Sequence, residues 1–271
     1  MGCIGVSILD IFLPLALGMV TGLLLGLTGA GGGLVAAPLL VLVMQVPVAQ
    51  AAPVSLIAVL LSAGTGAVLG LRAGIVRYKA ATVMAAAGLL LFPLGHLVAG
   101  WVPNRLLMVV FAALLLYQAW RFWGNRHAVV DAAPPCEINP ASGRFIWNRP
   151  CARALLQAGS FAGFLSGLLG VGGGFILVPA LRRHTPLEMN AITATVLLVL
   201  ALVSCGGLLQ WSVSGHLAAH LAWPFAAGAL VGMVAGREFA SGIDEHGLQK
   251  AFALLCAVIA LGLAAKGLLG F

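Results

Sequence analysis

Residues Gly22–Gly33 read GLLLGLTGAGGG, and residues Gly163–Gly174 read GFLSGLLGVGGG. The two stretches agree glycine for glycine, and a proline stands five positions after each, at Pro38 and Pro179. Gly22 to Gly163 and Pro38 to Pro179 both span 141 positions, and Gly88 to Gly228 spans 140. Two unrelated glycine-rich helices would not keep one offset over dozens of residues. The chain is therefore read as a duplication: a first transmembrane repeat over 1–123, a linker over 124–150 and a second repeat over 151–271.

The material around the glycines decides the solvent. Of 271 residues 62% are hydrophobic and only 8% charged, with a mean hydropathy of +1.10. A soluble domain carries about 25% charged residues because its surface must face water. Lipid must cover most of this surface, and in hydrocarbon only helices and closed barrels satisfy every backbone group. The apolar runs last about 20 residues without two-residue alternation, which selects an all-α bundle. The net charge of +7 is not a nucleic-acid footprint, since the basic residues fall between the apolar runs, where they set topology. Cys3, Cys136, Cys151, Cys205 and Cys256 show no C-x-x-C pair, so neither a disulfide framework nor a metal cluster is expected.

Apolar runs and their breaks predict helices at about 8–27, 34–44, 50–70, 80–101 and 104–123. The second half repeats the series at about 152–170, 175–184, 187–209, 217–236 and 247–268. The helices at 34–44 and 175–184 are short, since about 11 residues cover about 16 Å, roughly half of a 30 Å core. Each is a steep crossing or one arm of a re-entrant hairpin with the Gly-rich break at its tip. Either way a long helix and its short partner cross twice or not at all, so each half makes an odd number of crossings. The second half then enters the membrane upside down, as in many secondary transporters.

The distribution of Lys and Arg tests this. With the linker inside, an inverted pair places Arg72, Arg77, Lys79, Arg121, Arg126, Arg144, Arg149, Arg153, Arg182, Arg183, Arg237 and Lys250 in the cytoplasm, and only Arg105 and Lys266 outside. A parallel arrangement leaves five outside. Inversion is favoured, with a cytoplasmic linker and both termini periplasmic. All six tryptophans fall near segment ends, as interfacial anchors should.

Three glycines in a row at membrane depth expose N–H groups just before a short helix, and a helix N-terminus favours negative charge. Inversion lets two such N-termini face each other, so Gly29, Gly31, Gly32, Gly33, Gly170, Gly172, Gly173 and Gly174 are the candidate ligands of a small anion. Gly22, Gly26, Gly163 and Gly167, spaced by four, are read instead as close-packing positions. Ser55 and Thr195, at an offset of 140, are candidate hydroxyl donors, or else are bonded back to their own helices. His96, an ionisable residue inside an apolar run, is the candidate for proton coupling, with a structural histidine as its alternative. No H-E-x-x-H, G-x-S-x-G or Walker sequence occurs, so neither enzyme chemistry nor direct ATP hydrolysis is expected.

The duplicated G-x-G-G-G-x(4)-P stretch, Gly29 to Pro38 and Gly170 to Pro179, resembles the sulfite exporter TauE/SafE family of membrane permeases. The resemblance covers nearly the whole chain, including its two halves and polar linker. Where members often carry A-x-G-T-S-L, this chain has Ala51-Ala52-Pro53-Val54-Ser55-Leu56 and Ala191-Ile192-Thr193-Ala194-Thr195-Val196. Only the final hydroxyl is kept in each copy. The resemblance implies a permease or exporter of sulfite, organosulfonates or other organic anions across the bacterial inner membrane. A passive anion channel and a non-transporting membrane scaffold or assembly protein are the alternatives. Its implied partners are a small anion, the lipid bilayer and a coupling ion (H+ or Na+), with a homo-oligomer left open. No cofactor, metal or nucleic acid is called for.

Overall fold

The computed structural model describes residues 8–29, 31–123, 135–136, 148–213, 219–239 and 245–269, and its regular structure there is entirely helical. In chain order the helices are α1 (Ile8–Thr28), α2 (Gly31–Val43), α3 (Val48–Arg72), α4 (Tyr78–Trp101) and α5 (Asn104–Trp123). Then come α6 (Arg149–Leu169), α7 (Gly174–His184), α8 (Met189–Val213), α9 (Ala219–Phe239) and α10 (Glu245–Leu269). Their ends fall within four residues of the expected bounds. Most of the linker, with Arg126 and Arg144, lies outside the described residues.

Six helices, α1, α3, α4, α5, α8 and α10, are long and apolar enough to cross a membrane, so the chain is a multi-pass membrane protein. Large apolar side chains point outward, with Leu90 78% and Phe161 67% exposed. In water such a surface would aggregate, whereas in lipid it is solvated. Trp101, Trp120, Trp123 and Trp223 are exposed near helix ends, but Trp211 is buried. It packs edge-on to His96 with ring centroids 4.4 Å apart, so it is a packing residue and not an interfacial anchor.

Glycines decide which helices touch. A Cβ added at Gly18 or Gly22 on α1 would run into the backbone of Phe225 or Ala229 on α9. One added at Gly159, Gly163 or Gly167 on α6 would run into Met84, Gly88 or Phe92 on α4. Residue numbers rise together in both contacts, so each pair is parallel and packed backbone to backbone, the small-residue mode of membrane helices. Two further contacts, α3–α8 and α5–α10, are antiparallel. Gly66 and Gly70 of α3 face Leu197 and Ala194 of α8. In the α5–α10 pair, Phe122 meets Phe252 at 5.4 Å and Gly267 lies beside Arg105. Each half thus lends its first helix to the other half.

These contacts fix the register between the halves. Gly22 on Ala229 matches Gly163 on Gly88, and Gly29 against Thr193 matches Gly170 against Ala52, both at a uniform offset of 141. Gly88 therefore corresponds to Ala229 and not Gly228. Likewise Ser55 and Thr195 are not equivalents but one residue out of step. The two share a residue type but not a packing position.

The cysteine expectation is also corrected. Cys136 and Cys151 form a disulfide with Cα atoms 4.7 Å apart, and both are fully buried. The bond ties residue 136 of the linker to the first turn of α6. The Cys136 N–H donates to the carbonyl of His184 at the end of α7 (3.2 Å). The outer ends of α6 and α7 therefore meet on one face, and the two helices form a hairpin with the second Gly-rich turn at its tip.

Candidate functional site

The two Gly-rich turns are built differently. In the first, α1 ends at Thr28, whose Oγ1 donates to the Leu24 carbonyl (2.7 Å) and accepts the Gly31 N–H (2.8 Å). That cap starts α2 at Gly31, so Gly31–Gly33 form its first turn rather than the irregular break expected of them. In the second, Gly170, Gly172 and Gly173 all have φ near +70°, a conformation only glycine adopts without strain. The Gly170 N–H donates to the Ser166 carbonyl (2.8 Å), closing α6, and the Gly172 N–H donates to Ser166 Oγ (3.1 Å). Helix α7 then begins at Gly174.

The turns meet in the middle of the protein. A Cβ at Gly33 would come 3.0 Å from the Val171 carbonyl oxygen and 3.6 Å from Val59. One at Gly172 would come 3.2 Å from the same Val59 and 3.0 Å from Leu200. Val59 and Leu200 are equivalents at 141, so the relation between the halves centres here. All of Gly29, Gly31–Gly33 and Gly170–Gly174 are buried. The amides of Gly29, Gly31, Gly170 and Gly172 are engaged by the protein itself. Among the described residues, those of Gly32, Gly33, Gly173 and Gly174 find no acceptor, as the first turn of a helix leaves them. The eight glycine candidates thus separate into four that hold the turns and four with open N–H groups.

Neither predicted hydroxyl points into this space unpartnered. Ser55 Oγ lies 2.7 Å from the Gly170 carbonyl and 2.8 Å from the Ala52 carbonyl, which share its single hydroxyl proton. It clamps the second turn from the first half. Thr195 Oγ1 donates to Ala191 (2.6 Å) and accepts the Arg77 N–H (3.1 Å), which places it at the α3–α4 connection. One hydroxyl that sequence did not single out is left over. Ser204 Oγ is fully buried without a hydrogen-bond partner, 4.0 Å from where a Cβ on Gly172 would sit. A buried orphan hydroxyl costs about 1–3 kcal/mol of desolvation. Nothing in the pattern of α8 marks it, because a serine in an apolar helix ordinarily bonds back to its own turn.

His96 is remote from the turns, near the end of α4. Its Nδ1 and the Trp211 Nε1 are both buried without partners. At an offset of 141 its counterpart is Arg237, which donates from Nη1 to the Gly66 carbonyl of α3 (2.9 Å). His96 and Arg237 thus occupy matched places where α4 meets α8 and α9 meets α3. Among the described residues no group of three or more His, Cys, Asp or Glu converges as a metal site would require.

Comparison with known proteins places this arrangement. The family model for the sulfite exporter TauE/SafE matches residues 14–263. The chain is similar to a probable membrane transporter protein of Xylella fastidiosa strain Temecula1, at 26% identity over 261 residues, covering 94% of this chain and 95% of that protein. Its counterpart in strain 9a5c is 27% identical over 266 residues, with the same coverage. A probable membrane transporter protein of Methanocaldococcus jannaschii is 27% identical over 209 residues, 74% of this chain and 73% of that one. No solved structure matches significantly. The chain belongs to the sulfite exporter TauE/SafE family, whose members are membrane transporters and not enzymes.

Proposed function

We propose that this transporter is a secondary carrier of small oxyanions, sulfite or organosulfonates among them, across a bacterial inner membrane. The anion sits where the first turns of α2 and α7 meet, held by the amides of Gly32, Gly33, Gly173 and Gly174. The observation that carries the reading is the buried, unpartnered Ser204 hydroxyl beside that meeting point. Two helix N-termini supply partial positive charge, open amides supply directional donors, and Ser204 adds a third kind of donor. No full charge is buried there, so a bound anion need not outcompete a salt bridge to leave, as carriage requires. The relatives' description as membrane transporters supports carriage, and only the family name, sulfite exporter, points to the class of substrate.

In this reading the halves are inverted repeats. The antiparallel self-paired contacts α3–α8 and α5–α10 support it, because a two-fold axis in the membrane plane reverses every helix it maps onto its partner. The linker is cytoplasmic and both termini periplasmic, following the Lys and Arg distribution, which makes the Cys136–Cys151 bond an exception to the reduced state of most cytoplasmic thiols. His96 is the proposed proton-coupling group, facing the periplasmic half of the path. Counterflow in proteoliposomes tests the carrier: vesicles loaded with unlabelled sulfite should accumulate external labelled sulfite transiently. Flux without such an overshoot identifies a channel, and no flux or binding for any of sulfite, sulfate and an organosulfonate identifies a scaffold.

A further inference from the structure

Helix α6 opens Arg149-Pro150-Cys151-Ala152-Arg153, which puts two guanidinium groups one turn apart on the same face. With Ala154, Gln157 and His184 they line an open cavity of about 540 Å³. Two cations at this spacing repel each other, and at a helix N-terminus the dipole repels both. Among the described residues lining the cavity none is acidic. His184 Nδ1 is buried without a hydrogen-bond partner.

The wall is also held in place. Cys151 stands between the two arginines and is bonded to Cys136, whose N–H is in turn hydrogen-bonded to the His184 carbonyl. The start of α6, residue 136 and the end of α7 are thereby cross-linked into one frame. Such a frame lowers the ordering cost of binding. Eleven residues of α7, about 16 Å of helix, separate it from the Gly-rich turns, so it is a second site.

We propose that this cavity binds a phosphate group, held by the planar forks of Arg149 and Arg153 with His184 and Gln157 completing the shell. Arginine forks match tetrahedral oxyanions bidentately. The cavity exceeds what a bare phosphate needs, leaving room for the ester it belongs to. A phospholipid headgroup and a soluble phosphate share this chemistry, and basic pockets between membrane helices take the former.

The test uses the full-length chain in nanodiscs. Inorganic phosphate is titrated while thermal unfolding is followed, and retained lipid is counted by native mass spectrometry from discs of phosphatidylcholine with or without phosphatidylglycerol. Wild type should be stabilised by phosphate or should retain phosphatidylglycerol selectively, and more weakly as salt rises. The double variant Arg149→Gln/Arg153→Gln should lower that affinity about a hundredfold, roughly tenfold for each charged bidentate pair. His184→Ala should cost a few-fold and serves if the double variant misfolds. Stabilisation by free phosphate alone identifies a soluble ligand, and lipid retention alone a headgroup. Binding by neither, or undiminished binding in folded variants, overturns the proposal. Because the readout is binding, the result stands whether or not the Gly-rich turns carry sulfite.

Discussion

Replacing Gly172 by alanine separates the proposed anion site from the fold, because a matched control exists in the same chain. Gly172 and Gly74 both have φ of +71°, so an alanine at either pays the same left-handed backbone cost of about 1–2 kcal/mol. At Gly74 the new methyl meets nothing within 4 Å. At Gly172 it lies 3.0 Å from Leu200 Cδ2 and 3.2 Å from Val59 Cγ1, both side-chain termini. Each must give by a few tenths of an ångström, adding about 1 kcal/mol, the low end of the overpacking range because both are flexible side-chain ends. The two variants should therefore unfold within a few degrees of one another in detergent. Their transport should differ sharply, since only the Gly172 methyl enters the space beside Ser204, 4.0 Å from its hydroxyl. Sulfite counterflow per folded molecule should fall at least about tenfold in Gly172→Ala, a change of about 1.4 kcal/mol, and stay at wild-type level in Gly74→Ala. Gly173→Ala would not serve, because its Cβ would strike the Ala162 carbonyl oxygen at 2.5 Å and confound folding with function. Equal counterflow in Gly172→Ala and Gly74→Ala, with both folded, would refute the site.

Three further outcomes follow from the packing. Gly163→Ala and Gly22→Ala place a methyl inside the backbone of Gly88 and Ala229, so each should lose about 1–3 kcal/mol; a wild-type melting temperature for either would contradict the parallel helix pairs, with Gly64→Ala, whose Cβ meets nothing within 4 Å, as the silent control. His96→Phe keeps an edge-to-face ring on Trp211 and removes the proposed proton-coupling group, so stability should change by no more than about 1 kcal/mol while a proton gradient ceases to drive flux; gradient-driven flux that survives would move coupling to another residue. Single cysteines replacing Arg72 and Gln210 should react with impermeant maleimide from opposite sides of the membrane, and reaction from one side would sink the inversion.

The helices were legible because apolar runs, glycines and prolines punctuate this chain so regularly. Three features were not. The start of α2 was hidden because a GGG run reads as a breaker, yet one hydroxyl, Thr28, satisfies the first amide and lets Gly31 begin a helix. The Cys136–Cys151 bond was hidden because one partner lies in a polar linker and its spacing matches no motif. The equivalence of Ser55 and Thr195 failed because two small hydroxyl residues one place apart look like an aligned pair; only contacts such as Gly170 on Ala52 and Gly29 on Thr193 settle the register.

The correct register changes what the duplication means for the site. Thr28 corresponds to Leu169, Ser166 to Leu25 and Ser204 to Ala63, so no hydroxyl near the turns is shared between the halves. Yet Gly31 and Gly172, which do correspond, both have their N–H groups capped, one by Thr28 and the other by Ser166. The equivalent pairs Gly32–Gly173 and Gly33–Gly174 are left open in both halves. Different side chains thus produce the same pattern of free amides, which close packing alone would not require, since packing constrains Cβ space and not N–H partners. What the halves do not share is Ser204: its counterpart Ala63 offers no hydrogen bond. In the proposed site an anion would be approached by matched amides from both halves and by a hydroxyl from one, so the second half would set its orientation. Ser204→Ala should then weaken discrimination among oxyanions of similar charge more than it weakens binding of any one.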